Sequence, residues 1–316
     1  CQCAALIGRE HTTLALGPPI EAVHTADFVR DFRGVSVDDK LALVKSYNDL
    51  IMGAGDAIVS SHIVYEELFR TVYFVASTGT SYREERPRVA LRIAATARDG
   101  ALVQNAHDGF ASTDDYGVVL GREQTAHAIA ERAIALLKAP ACEAGVYSVI
   151  LDPYLGGVFI HEAFGHLSEA DFLYENPRMR DLMHLGRTVG TPLLTVVDDG
   201  THPTFMGTHA FDDEGTPVSR VQLITNGVLT AHLHSRETAA KMAEAPTGNA
   251  RACNKHHAPL VRMRNTYIEK GTTPVAELFN GIDNGIYACD TIGGQTEFEM
   301  FTFSAAYGYR IENGRR

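Results

Sequence analysis

Apolar residues along this chain alternate between helical and strand-like spacing, and the changes of period mark out its elements. Over residues 36 to 52, Leu41, Val44, Tyr47, Leu50 and Ile51 recur at helical intervals. Ser36, followed three residues later by Asp39, has the form of a helix-initiating capping box, and Gly53 and Gly55 mark the stop. From about 56 to 120 the pattern becomes short β-rich runs at Ile58 to Val64, Thr71 to Ala76 and Val89 to Ala95, which predicts an antiparallel meander. A second helix is expected over about 122 to 137, with Ala126, Ile129, Ala130, Ala133, Leu136 and Leu137 on one face and Pro140 beyond its end.

The Ala-Pro-Ala stretch at 139 to 141 reads as a domain boundary. Beyond it the pattern predicts a strand at Val146 to Leu151, an apolar helix after Pro153 and Gly156-Gly157, and a strand at Leu193 to Val197. A hairpin is expected around Asn226-Gly227, between Val221 to Ile224 and Val228 to His232, and a short helix follows near 235 to 244. The expected fold class is α+β in two domains: an amino-terminal α/β domain over 1–138 and a β-rich mixed carboxy-terminal domain over 139–316. Cys1 in place of Met, and an end at a turn-like Asn313-Gly314, suggest a piece of a longer product lacking both termini.

Composition narrows the function classes. With 45% hydrophobic and 21% charged residues the chain is ordinary globular protein. Its 28 Lys+Arg against 39 Asp+Glu give 28 − 39 = −11, which disfavours nucleic acid and anionic membrane surfaces as partners. No run approaches the roughly 18 to 20 apolar residues of a membrane span, and no secretory pattern opens the chain, so a cytoplasmic protein is expected. Cys1, Cys3, Cys142, Cys253 and Cys289 form neither a disulfide framework nor a C-x-x-C site, and most are expected to be buried, inert thiols.

The chemistry concentrates in His161-Glu162-Ala163-Phe164-Gly165-His166. Two imidazoles can hold Zn²⁺, and the adjacent glutamate can take a proton from a water that the ion acidifies. The spacing departs from H-E-x-x-H, because five residues place the histidines about 140° apart on an ideal helix. Either a π-bulge adds a residue to the turn, or the helix ends near a permissive Gly165 and His166 returns from irregular backbone. The competing reading of two histidines at this spacing is an unrelated pair of surface or core residues. The apolar lead-in Val158-Phe159-Ile160 argues for a protected position instead.

Other polar groups have simpler readings beside functional ones. Asp198-Asp199-Gly200 and Asp212-Asp213-Glu214-Gly215 are turn chemistry before they are paired carboxylates. His256-His257, with Arg251 and Arg262, could line a substrate groove or sit in solvent. Gly156-Gly157 could admit close backbone approach or an anion at the helix start.

Beyond these residues the chain resembles the TldD/PmbA family of metallopeptidases, and in particular its catalytic TldD-type members. The matching landmarks are His161 to His166, Glu169-Ala170-Asp171-Phe172, Val196 to Thr201, Asp212 to Pro217, Ile224 to Leu229, Pro246 to Arg251 and Arg262 to Tyr267. The resemblance covers about 150 to 316, and the amino-terminal half matches by pattern only. It implies that 139–316 is a metallopeptidase domain, that His161 and His166 are Zn²⁺ ligands, and that Glu162 is the general base. It also implies a cysteine as third ligand, in a segment beyond residue 316, with Cys289 as a fallback ahead of Cys253 and Cys142. The implied function is zinc-dependent hydrolysis of extended or unfolded peptides. The implied assembly is a heterodimer with a homologous subunit lacking the motif, or a homodimer. A non-catalytic peptide-binding or assembly subunit of the same family is the alternative, and a small-molecule amidohydrolase a weaker one.

Overall fold

A computed structural model describes residues 12–297 and 300–316. Cys1 and Cys3 therefore lie outside the described residues.

A short strand β1 (Glu21–His24) is followed by helix α1 (Val37–Met52), where the Ser36 hydroxyl oxygen accepts from the Asp39 backbone N–H. Strands β2 (Ile58–Val75), β3 (Ser81–Asp99) and β4 (Leu102–Ser112) then form the expected antiparallel meander. Helix α2 (Glu123–Leu136) packs with α1 on this sheet, burying Tyr47 and Ile51 against Leu91, Ile93 and Ile129. The Tyr47 hydroxyl is satisfied inside that core by donating to the Val119 carbonyl at 2.8 Å.

The strands are longer than the apolar runs suggested, since the separate runs at 58 to 64 and 71 to 76 belong to one continuous β2. Their polar middle is stabilised by cross-strand charge, with Glu66 on β2 paired to Arg88 at 2.9 Å and to Arg92 at 3.3 Å on β3. Pro87 lies opposite Phe69 in the β2–β3 ladder, and the other side of β3 is unpaired at this point, because β1 pairs with residues 81–84 and β4 only from Val89 onward. The long β2–β3 hairpin carries its far end onto the second half of the chain. There Tyr82 stacks between Phe74 and Phe211, and its hydroxyl donates to the Asp212 carbonyl at 3.1 Å. Arg86, paired with Glu84 at 2.8 Å, also donates to the Phe211 carbonyl at 2.9 Å.

In the second half, β5 (Ser148–Leu151) leads into helix α3 (Pro153–Ile160), and helix α4 (Pro177–Leu182) follows. Strands β6 (Val196–Asp199), β7 (Arg220–Thr225) and β8 (Val228–Leu229) come next, then helix α5 (Arg236–Met242). Asn226 and Gly227, both with positive φ, make the tight turn expected between β7 and β8. The remaining strands are β9 (Ala250–Arg251), β10 (Leu260–Val261), β11 (Thr266–Ile268), β12 (Asn284–Cys289), β13 (Gly293–Glu297), β14 (Met300–Ser304) and β15 (Tyr307–Glu312). One sheet has the order β11-β6-β7-β8 and another β15-β12-β5, with β5 parallel to β12. The second core gathers Ile160, Met183, Val196, Leu223, Leu233 and Val261 between the first of these sheets and the helices.

Where the β2–β3 hairpin meets the second half, burial pushes the His209 imidazole down to about 3, and the Arg86, Arg264, Arg70 and Arg251 charges add to the shift. The folded chain thus binds this proton more weakly than the unfolded chain, whose ordinary value is 6.5. The neutral ring contributes its full stability above pH 6.5 and loses it progressively as pH falls toward 3. A His209→Asn variant is expected to lose less stability than the parent between pH 7.5 and pH 5, read from urea midpoints; equal losses would show that His209 is not responsible.

Candidate metal centre

The site is built where β5 turns into α3. The Asp152 carboxylate caps the helix by accepting from the Leu155 N–H at 2.7 Å, and it also accepts from the Asp290 N–H at 2.8 Å, tying the end of β12 to the same point. Pro153 occupies the first turn, where its missing N–H costs nothing. Gly156 and Gly157 lie within α3, and a Cβ at either would meet nothing within 4 Å, so neither serves a close backbone approach. The Asp152 carboxylate already occupies the helix start, where an anion was considered.

After Ile160 the helix widens into a π-turn over His161–Gly165, closed by the His166 N–H donating to the His161 carbonyl. Of the two solutions to the five-residue spacing, the chain adopts the inserted residue. The extra residue turns the two rings toward each other, with centroids 4.6 Å apart and planes at 80°. Gly165 has ordinary right-handed helical angles (φ −58°, ψ −57°), so its expected conformational role is not used. It serves packing instead, because a Cβ there would lie 2.1 Å from Met263 Sδ and would push the end of that buried side chain aside.

Ligand atoms of His161, Glu162 and His166 lie within 4.8 Å of one another. Burial, reinforced by the neighbouring His166, holds the His161 imidazole below its usual range, which keeps its lone pair free at neutral pH. His166 is shifted the other way by Glu169, whose carboxylate faces His166 Nδ1 at 3.2 Å. Glu169 has no exposed side-chain surface, and it also accepts from the Met263 N–H at 3.3 Å and from Arg262 at 3.2 Å. This contact fixes the His166 ring and leaves Nε2 for a ligand, the support commonly given to metal-bound histidines. The donor set, two imidazoles and a carboxylate with one ring anchored behind, fits a borderline divalent cation such as Zn²⁺.

Glu162 is 7% exposed and is covered by the β13–β14 hairpin. The Thr296 hydroxyl lies 2.7 Å from both Glu162 Oε2 and the Glu162 carbonyl. A Cβ on Gly294 would fall 2.6 Å from Glu162 Cγ, so only glycine lets the strand sit this close. The hairpin is held down by Phe301 and Phe303, both edge-on to Phe159 of α3. Between hairpin and helix opens a cavity of ≈ 490 Å³, lined by Glu162, His166, Leu167, Phe172, Met179 and residues 294–297.

Other candidates fall elsewhere. Cys289 is buried at the end of β12, with its Sγ 3.8 Å from the Tyr287 carbonyl, and it is not in the histidine cluster. Burial, with Asp152 nearby, pushes its thiol up to about 11, as suits a buried thiol. Of the three described cysteines, Cys142 and Cys253 are exposed and Cys289 is buried, so the expectation of buried thiols holds for Cys289 alone among them. Asp212 does make a turn, accepting from the Glu214 and Thr216 N–H groups at 2.9 and 2.8 Å. Asp198 does not: it is fully buried in β6 and accepts from Asn249, the Arg264 N–H and Thr266, each at 2.8 Å. His256 and His257 are exposed, and Arg262 is engaged with Glu169.

Comparison with known proteins identifies the family. The PmbA/TldA metallopeptidase C-terminal domain profile matches residues 144–316, and the central domain profile of the same family matches 30–139. The chain belongs to the TldD/PmbA family of metallopeptidases. It is 45% identical over 313 residues to a metalloprotease of Synechocystis sp., covering 99% of this chain and 68% of that protein. It is 36% identical to a metalloprotease of Methanothermobacter thermautotrophicus, covering 82% of this chain and 57% of that one. A zinc metalloprotease TldD homolog of Saccharolobus solfataricus is 34% identical, covering 79% of this chain and 56% of its own length. The chain thus spans between about half and just over two thirds of these TldD/PmbA relatives.

Among solved structures, a candidate modulator of a DNA gyrase from Thermotoga maritima superposes with a TM-score of 0.81 at 23% identity, covering 99% of this chain and 71% of that one. TldE from Thermococcus kodakarensis superposes at 0.72 and 18%, with the same coverages. At such identities the likeness establishes the TldD/PmbA fold alone. Among the described residues no helix is long and apolar enough to cross a membrane.

Proposed function

We propose that this chain carries the catalytic centre of a zinc-dependent peptidase acting on extended polypeptide. The observation that carries the reading is the π-turn, which brings His161, His166 and Glu162 to one point beside a cavity. His161 and His166 would hold the ion, with a further donor from a cysteine beyond residue 316. The bound ion would supply Lewis acidity toward a scissile carbonyl and toward the attacking water. Glu162 would take the proton of that water on a carboxylate oxygen and return it to the leaving amine. Glu169 would hold the His166 ring, and the β13–β14 hairpin would exclude bulk water.

β13 supports this substrate class. Among the described residues β13 pairs with β14 alone, and its residues 294–297 line the cavity. An extended peptide can therefore add along its free edge by main-chain hydrogen bonds, which favours unfolded chains over folded ones. Leu167, Phe172 and Met179 give that cavity an apolar wall for side chains.

The test is metal content and casein hydrolysis of the protein purified without chelator, beside His166→Ala. The variant is expected to carry about one zinc fewer per chain and to lose hydrolysis. If parent and variant bind equal metal, and the zinc-supplemented parent cleaves nothing, the reading fails in favour of a non-catalytic peptide-binding or assembly subunit.

A further inference from the structure

A second group of metal-competent side chains, His232, His234 and Glu244, has ligand atoms within 4.8 Å of one another and shares no residue with the first. His232 and His234 alternate along the extended segment after β8, so both rings leave it on one side. Between them the Leu233 N–H donates to the Ser168 carbonyl at 2.8 Å, and the Leu233 carbonyl accepts from the Ala170 N–H at 3.0 Å. Glu244 is delivered by Ala243, whose left-handed backbone (φ 57°) ends α5. The rings are 3% and 1% exposed, whereas the Glu244 side chain is 22% exposed and opens the group to solvent.

The hydrogen-bond accounting sets this cluster apart. His232 Nε2 lies 2.7 Å from the Met183 carbonyl, which can only accept, so the hydrogen is on Nε2. In a neutral ring Nδ1 then presents a lone pair, yet it faces the Glu244 carboxylate at 3.1 and 3.2 Å. His234 Nδ1 lies 3.1 Å from the Thr238 hydroxyl oxygen, and its Nε2 lies 3.1 Å from Glu244. That hydroxyl accepts from the Ser235 N–H at 3.0 Å and can also donate, so either nitrogen of His234 can carry the hydrogen. With the His234 hydrogen on Nδ1, two imidazole lone pairs and a carboxylate face one another, an arrangement that a cation between them satisfies. A divalent ion serves all three donors at once.

The distances suit an ion. Two ligands about 2.05 Å from a tetrahedral zinc lie roughly 3.3 Å apart, close to the His–Glu separations already present. Each ring's far nitrogen is fixed on an oxygen, the arrangement that selects the tautomer of a metal-bound histidine.

We propose that His232, His234 and Glu244 form a second divalent transition-metal site of zinc type, structural rather than catalytic. The ion joins the 232–234 segment to the end of α5. Through the Leu233 backbone bonds it braces residues 168–170, and so the Glu169 that holds His166.

The experiment uses the full chain with His161→Ala and His166→Ala as background, so that only the second group is available. Zinc is added to the chelator-stripped protein and followed by bound-metal analysis and thermal unfolding; Co²⁺ then replaces it for absorption spectroscopy. The expected result is about one zinc per chain, a raised unfolding temperature, and intense tetrahedral Co²⁺ bands. All three should be lost with His234→Ala and weakened with Glu244→Gln, whose amide keeps the size of the side chain. The site is overturned if the background protein binds no zinc at micromolar concentration. It is equally overturned if binding persists unchanged in both variants, which would place the ion elsewhere. Should His234→Ala fail to fold, Glu244→Gln alone decides by the same readouts.

Discussion

Glu162→Gln is expected to lower peptide hydrolysis by roughly 100- to 10,000-fold, the range lost with a general acid–base group, while the protein keeps its zinc. The substitution isolates the proton-transfer role because it alters little else. Glutamine has the same length, so its side-chain oxygen can still accept from the Thr296 hydroxyl that lies 2.7 Å from Glu162 Oε2. The tight fit under Gly294, set by a 2.6 Å approach to Glu162 Cγ, is likewise kept. What is lost is an oxygen able to take a proton from water and give it to the leaving nitrogen. Zinc analysis and initial rates on a disordered substrate check both halves. Activity at the parent level would remove Glu162 from the role of base. Loss of the metal along with the activity would make it a ligand instead.

The sequence carried more of this site than is usual for residues held on irregular backbone. A spacing of five positions from His161 to His166 is incompatible with two rings meeting on an α-helix, so the distortion was legible from the spacing alone, and the π-turn is one of the two forms it could take. The purpose of Gly165 was not legible. Its partner Met263 lies almost a hundred residues away, and only the packed molecule shows that a Cβ would strike the sulfur. Gly294 and Thr296 were missed for the same reason: they reach Glu162 through tertiary contact, with no local pattern to announce them.

The helices and the β7–β8 hairpin followed their periodicity and turn residues closely, because local rules decide them. The strands of the meander did not. Their polar stretches look like loops in a one-dimensional reading, but cross-strand pairs such as Glu66 with Arg88 stabilise them in the sheet. Of the Asp198-Asp199-Gly200 turn reading, Asp199 does accept from the Thr201 N–H two residues on, whereas three distant donors fix Asp198 inside β6, which no local pattern announced.

Glu169 had a visible signal, a carboxylate one turn after a histidine, which acquires meaning only once His166 is placed as a ligand. Glu169→Gln is expected to weaken zinc binding at the His161–His166 site by roughly 10- to 100-fold, as removal of such supporting carboxylates does. The amide can satisfy the Met263 N–H, now 3.3 Å from a Glu169 oxygen, but it brings no negative charge to His166 Nδ1. The ring becomes a weaker donor and is free to rotate. Arg262, about a third exposed, can rehydrate when its partner is neutralised, so the fold should tolerate the change. Because Glu169 acts through His166, hydrolysis by the variant should be low at limiting zinc and recover toward the parent rate as zinc is raised. A deficit that no zinc concentration restores would point to damaged structure. An unchanged zinc affinity would mean that the 3.2 Å contact between Glu169 and His166 does not govern the metal.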